Sequence, residues 1–97
     1  MPGPAHLKYR RVLLKISGEA FSGEGGAGIE TAELENIARQ CGEVSAMGTQ
    51  LAVVVGGGNF IRGATFSEAG HIPRATADYM GMLGTVLNAM ALQEMME

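Results

Sequence analysis

Apolar and polar positions along this chain change their period four times, and each change predicts an element. Residues 11–17, Arg-Val-Leu-Leu-Lys-Ile-Ser, form a short apolar run with one lysine, closed by Gly18. That is the pattern of a buried strand. Residues 22–28, Ser-Gly-Glu-Gly-Gly-Ala-Gly, carry too much glycine for any regular element and predict a loop. Leu34, Ile37, Ala38, Cys41 and Val44 then recur at three- and four-residue spacing. They predict an amphipathic helix with Thr31 as N-cap, Glu33 and Glu35 in its first turn, and a stop near Gly48. Residues 51–55 form a second apolar strand that runs straight into Gly56-Gly57-Gly58-Asn59. Strand, helix and strand with short joints predict a βαβ unit with parallel strands and a right-handed crossover.

From residue 75 to residue 96 the pattern is that of one long helix. Met80, Leu83, Val86, Leu87, Met90 and Ala91 share a face, while Met82, Leu92, Met95 and Met96 widen the stripe. A helix apolar over so much of its circumference needs cover on more than one side. The wall is expected to come from more chain or from another subunit. The pattern runs to Glu97 without a glycine, asparagine or proline stop signal, and two parallel strands with two helices make an unfinished sheet. The expectation is an α/β chain in truncated form: a flexible leader over residues 1–8, then one incomplete domain over residues 9–97.

Bulk properties narrow the class without changing this picture. The 97 residues suffice for one small domain. The formal charge of -3 speaks against a nucleic-acid surface, which needs a basic face. Cys41 is the single cysteine, so no internal disulfide can form, consistent with a reducing cytoplasm. The opening Met1-Pro2-Gly3-Pro4 has neither part of a secretory signal, and no run approaches a membrane span. The expectation is a cytoplasmic protein that binds neither membrane nor nucleic acid.

Three positions carry candidate chemistry. Lys15 sits at the carboxyl end of the first strand, where open α/β sheets bind ligands, and a lysine there is a point charge suited to phosphate oxygens. A strand lysine reaching for solvent is the equal alternative. The three glycines at 56–58 exceed what a tight turn needs and let backbone amides approach an anion, with Arg62 placed to fork onto phosphate. Asp78, the only aspartate, lies near the start of the long helix. It is either a first-turn stabiliser or an acceptor for hydroxyls such as those of a ribose.

Other patterns carry less. Gly23, Gly25 and Gly28 match G-x-G-x-x-G but begin too long after the first strand for a dinucleotide fingerprint, and no Walker sequence is present. His6 and His71 are isolated, so no metal site is expected. Ser17 has no nearby histidine to activate it.

Taken together, Arg11-Val12-Leu13-Leu14-Lys15-Ile16-Ser17-Gly18-Glu19-Ala20, Val54-Val55-Gly56-Gly57-Gly58-Asn59-Phe60-Ile61-Arg62-Gly63 and Ala77-Asp78-Tyr79-Met80-Gly81-Met82-Leu83-Gly84-Thr85 resemble the uridylate kinase branch of the amino acid kinase family. The third segment, with Arg74 just before it, is the branch-specific one. The resemblance implies a three-layer α/β/α fold, here incomplete, and transfer of the γ-phosphoryl of ATP to UMP with Mg²⁺, giving UDP. It implies Lys15, Ile16, Ser17, Gly18, Gly58 and Arg62 on the ATP phosphates, with Lys15 catalytic. Gly57 is implied on the UMP phosphate and Asp78 on its ribose. Residues Gly23, Glu24, Gly25, Gly26, Ala27 and Gly28 match a segment tied to GTP activation in some members. Ala27 stands where an aromatic residue is frequent, and Gly84 where alanine is usual. Family members are hexamers assembled from dimers, implying a homo-oligomer. Their base site and a further catalytic aspartate lie beyond Glu97, implying that these 97 residues alone are inactive. Two other readings stand beside this one: a carbamate or aspartate kinase relative sharing the first two segments, and a non-catalytic phosphate-binding or assembly module.

Overall fold

The computed structural model describes residues 8–23, 26–61, 67 and 70–97. Strand β1 spans Arg11–Ile16, helix α1 Glu19–Ser22, helix α2 Thr31–Ala46, strand β2 Gln50–Val55 and helix α3 Arg74–Met96. The two strands pair in parallel with Arg11 beside Gln50 and Ile16 beside Val55. Helix α2 is the crossover between them, as the change of period predicts. The leader expected over residues 1–8 lies outside the described residues except for Lys8.

The pleat sorts side chains by parity, and parity decides which are covered. Ile16, Val53 and Val55 point to the face that meets the helices. There they join a core of Phe21 from α1, Leu34 and Ala38 from α2, and Leu92 from α3. Leu13, Lys15, Ala52 and Val54 share the opposite face and are exposed. Strand β1 is therefore not the buried strand its apolar run suggests, and Leu13 is 71% exposed. The described helices cover one face of the sheet, and a continuous apolar run does not say how many faces are covered.

Local details differ from expectation at two further places. Strand β1 ends at Ile16, and through Ser17 and Gly18 the chain turns at once into α1, where Phe21 is fully buried and Ser22 belongs to the helix instead of the glycine loop. Helix α2 has Glu30 at its N-cap and Thr31 as its first residue, with no side-chain capping bond and only Glu33 acidic in the first turn. Its start is fixed instead by tertiary contact, since the N–H of Glu30 donates to the carbonyl of Phe21 at 2.7 Å. Past its end, Gly48 adopts φ 95, a left-handed conformation that glycine tolerates and that turns the chain into β2.

In the long helix the inward side is made of small residues. Its buried residues are Ala77, Gly84, Asn88 and Leu92, while Leu83, Val86, Leu87 and Met90 of the apolar stripe are exposed, as a stripe awaiting cover from elsewhere would be. Small residues face inward because the glycine turn after β2 runs directly against the helix backbone. A bulky residue cannot stand between two backbones that touch.

Candidate phosphate-binding site

Parallel strands bring their carboxyl ends to the same edge, so the turns after β1 and β2 must meet. They meet in contact. A Cβ on Gly18 would collide with the amide nitrogen of Gly58 and lie 2.9 Å from the carbonyl carbon of Gly57. The last rung between the strands, the N–H of Gly56 donating to the carbonyl of Ile16 at 3.0 Å, holds the two turns in register. Lys15 lies one residue before that rung, beside Val54, with its side chain on the open face of the sheet.

The second turn is fixed from three sides. The carbonyl of Gly57 accepts the N–H groups of Phe60 at 3.0 Å and Ile61 at 3.2 Å, closing a tight turn. Helix α3 supports it from behind: a Cβ on Gly57 would lie 2.5 Å from the carbonyl oxygen of Gly81 and 2.6 Å from the nitrogen of Thr85. Helix α1 closes the third side, where a Cβ on Gly58 would lie 2.7 Å from a carboxylate oxygen of Glu19. The N–H groups of Gly57 and Gly58 make no hydrogen bond among the described residues. Adjacent backbone N–H groups left free at the end of a strand are what an anion nest requires.

Asp78 lies one turn before Gly81 on α3, and residues 78, 81, 85 and 88 fall at helical spacing along one side. The family segment that carries Asp78 thus also carries the surface on which Gly57 rests. Asp78 is exposed and pairs with Nε of Arg74 at 2.9 Å, one helical turn away. It is not a first-turn residue, because α3 begins at Arg74 and has no acidic residue in its first turn. The stabiliser reading therefore loses its basis, while the carboxylate remains open to solvent.

Of the other expected site residues, Ile16 joins the core and Ser17 is exposed beside buried Gly18. Arg62, Glu24 and Gly25 lie outside the described residues. Gly23 and Gly28 have φ 74 and 73, so the glycines at both ends of that loop are required by the backbone. Gly28 is bound to the second turn by two hydrogen bonds. Its N–H donates to the carbonyl of Asn59 at 2.9 Å, and its carbonyl accepts from Nδ2 of Asn59 at 2.7 Å.

Two side chains with no role in the sequence-based reading complete the arrangement. Asn88 and Asn59 are buried and exchange hydrogen bonds between their amides, and Asn88 also donates to the carbonyl of Gly56. One signal of Asn88 was present in the sequence. It is the polar residue between Gly84 and Leu92 on the small-residue side of an otherwise apolar helix.

Comparison with known proteins agrees with this geometry. The chain is similar to the UMP kinase of Bacillus anthracis, with 38% identity and a TM-score of 0.81 over 91% of this chain and 36% of that one. It is also similar to the UMP kinase of Ureaplasma parvum, with 30% identity and a TM-score of 0.79 over 93% of this chain and 37% of that one. It therefore spans little more than a third of the length of either. The model of the amino acid kinase family matches residues 10–97, and with the parallel strands and their two touching turns this makes the chain a member of that family.

Proposed function

We propose that this chain supplies the phosphate-binding part of a UMP kinase, an enzyme that transfers the γ-phosphoryl of ATP to UMP in pyrimidine nucleotide synthesis. The observation that carries the reading is the contact between the Gly18 and Gly58 turns at the carboxyl ends of β1 and β2. Phosphoryl transfer needs little covalent help from a protein and depends on positioning and charge neutralisation across two phosphates. Two turns in contact, one of them with free amides and with a lysine at their edge, suit that demand.

In this reading Lys15 is the catalytic cation, whose ammonium follows charge moving onto the transferring phosphoryl. Gly18, Gly58 and the backbone of Ile16 and Ser17 hold the ATP phosphates, joined by Arg62. Gly57 offers its N–H to the UMP phosphate, and Asp78 accepts hydrogen bonds from the ribose hydroxyls. No group of three histidine, cysteine or acidic side chains lies together among the described residues. Mg²⁺ fits as an ion carried on the ATP phosphates, the usual mode for this hard cation. There it would neutralise phosphate charge.

The remaining parts of the reading concern setting and control. Residues 23–28 act as an effector segment, supported by the two hydrogen bonds between Gly28 and Asn59 beside the glycine turn. The protein acts in the cytoplasm as a homo-oligomer joined through the exposed face of α3, where Tyr79 is 69% and Leu83 65% exposed. No helix among the described residues is long and apolar enough to cross a membrane.

The decisive experiment is UDP formation from ATP and UMP with Mg²⁺ by the complete gene product, with the 97-residue chain assayed in parallel. The complete product is expected to turn over at about 1–100 per second, and the 97-residue chain to be inactive. Turnover with carbamate or aspartate in place of UMP would transfer the reading to another branch of the family. Nucleotide binding without turnover would favour a non-catalytic module.

A further inference from the structure

We infer that Asn88, which lies in the helix core away from solvent, is a positioning residue for the acceptor phosphate, acting through the Gly56–Gly57 peptide. The inference rests on the UMP kinase reading for the identity of the phosphate, but its physical basis lies in the peptide itself.

Asn88 is 0% and Asn59 4% exposed. A buried amide is costly unless it is hydrogen-bonded, and here every side-chain N–H of the pair is used. Nδ2 of Asn88 donates to the carbonyl of Gly56 at 2.8 Å and to Oδ1 of Asn59 at 2.7 Å. Nδ2 of Asn59 donates to the carbonyl of Gly28 at 2.7 Å and to Oδ1 of Asn88 at 3.1 Å. Rotating either amide by half a turn would set oxygen against a backbone carbonyl, so the network fixes both orientations. An apolar residue would fill the same helix position without this requirement. The polar pair therefore has a directional task.

That task follows from peptide geometry. The Gly56–Gly57 bond is trans, since no cis peptide bond occurs among the described residues. In a trans peptide the C=O of one residue and the N–H of the next point in opposite directions. Binding the Gly56 carbonyl to Asn88 therefore aims the N–H of Gly57 away from α3. That N–H, like the one of Gly58, makes no hydrogen bond among the described residues. A peptide between two glycines is the one most easily rotated, because neither side has a Cβ to oppose it. Without the clamp the donor would be free to turn away. Helix α3 thus carries exposed Asp78 near its start and, from its buried side further along, orients a donor of the glycine turn.

The test is calorimetric binding of UMP, and separately of inorganic phosphate and ATP, to the complete gene product and its Asn88→Leu and Asn88→Asp variants. Thermal melting of each variant accompanies the titrations. Asn88→Leu removes both donors. Asn88→Asp keeps the shape but sets an oxygen against the Gly56 carbonyl. Both are expected to weaken UMP about tenfold, the equivalent of one charge-assisted hydrogen bond, with ATP changed less than twofold. UMP affinity unchanged in a folded variant would overturn the inference and leave the kinase reading intact. Equal loss for UMP and ATP, or failure of both variants to fold, would assign the pair to stability alone. Wild-type binding of inorganic phosphate but not UMP, with phosphate weakened by the variants, would support the clamp and remove the UMP kinase reading.

Discussion

Gly57 rests on the backbone of Gly81: a Cβ added to Gly57 would stand 2.5 Å from the Gly81 carbonyl oxygen, closer than real contacts allow. This contact is why the long helix turns its small residues inward, and it ties the glycine turn to the helix that carries Asp78. The same measure separates two glycines that look alike in sequence. At Gly84 an added Cβ would meet the Gly57 carbonyl oxygen and Phe60 Cβ at 3.2 Å, a tight but yielding contact.

Gly57→Ala is therefore expected to destabilise the fold by about 1–3 kcal/mol, the range for overpacking against atoms that cannot move aside. Gly84→Ala should be close to neutral, because the helix gains about 1 kcal/mol of propensity against its tighter packing. Chemical denaturation of the two variants gives the comparison. Equal destabilisation would contradict the packing described.

Lys15→Ala in the complete gene product should lower turnover roughly 10²–10³-fold, the usual effect of removing one electrostatic partner of a transition state. Its side chain stands on the open face of the sheet and is no part of the core, so the melting temperature should hardly change. A fall in turnover of less than tenfold would make Lys15 a solvent-seeking strand residue.

Asp78→Asn should raise the UMP Michaelis constant roughly tenfold or more, from loss of about 1.5–3 kcal/mol of charge-assisted hydrogen bonding. The ATP constant should hardly move. The Arg74 pair is exposed on both sides, and such pairs contribute about 0–1 kcal/mol, so stability offers no competing explanation. Parallel loss for both nucleotides would refute the ribose assignment.

Burial raises the pKa of the Cys41 thiol, and the side chain is 3% exposed. A raised pKa lowers the thiolate fraction at neutral pH, so Cys41 should react with a disulfide reagent far more slowly in the folded chain than in denaturant. Reaction at the same rate in both states would show that α2 does not hold its inner face against the sheet.

Leu87→Glu or Met90→Glu should reduce the oligomer to smaller species in light scattering, since both side chains are exposed in the single chain and would be covered in the assembly. An unchanged mass would place the subunit contact elsewhere.

The residues of 11–17 and 51–55 already determine that this chain builds parallel strands joined by a helix, because period and composition are local properties of a sequence. The same holds for the glycine turn at 56–58 and for the long helix. The sequence also located Lys15 and Asp78 by their place relative to those elements. What it did not contain is distance between turns remote in sequence. Only the tertiary structure decided that Gly18 touches Gly58 and that Gly57 sits on Gly81. That contact decided which side of α3 turns inward, because hydrophobicity is no measure of how closely two backbones approach. Asn88 shows the same limit: a polar residue on the small-residue side of a helix has no evident purpose until the carbonyl of Gly56 is found 2.8 Å away.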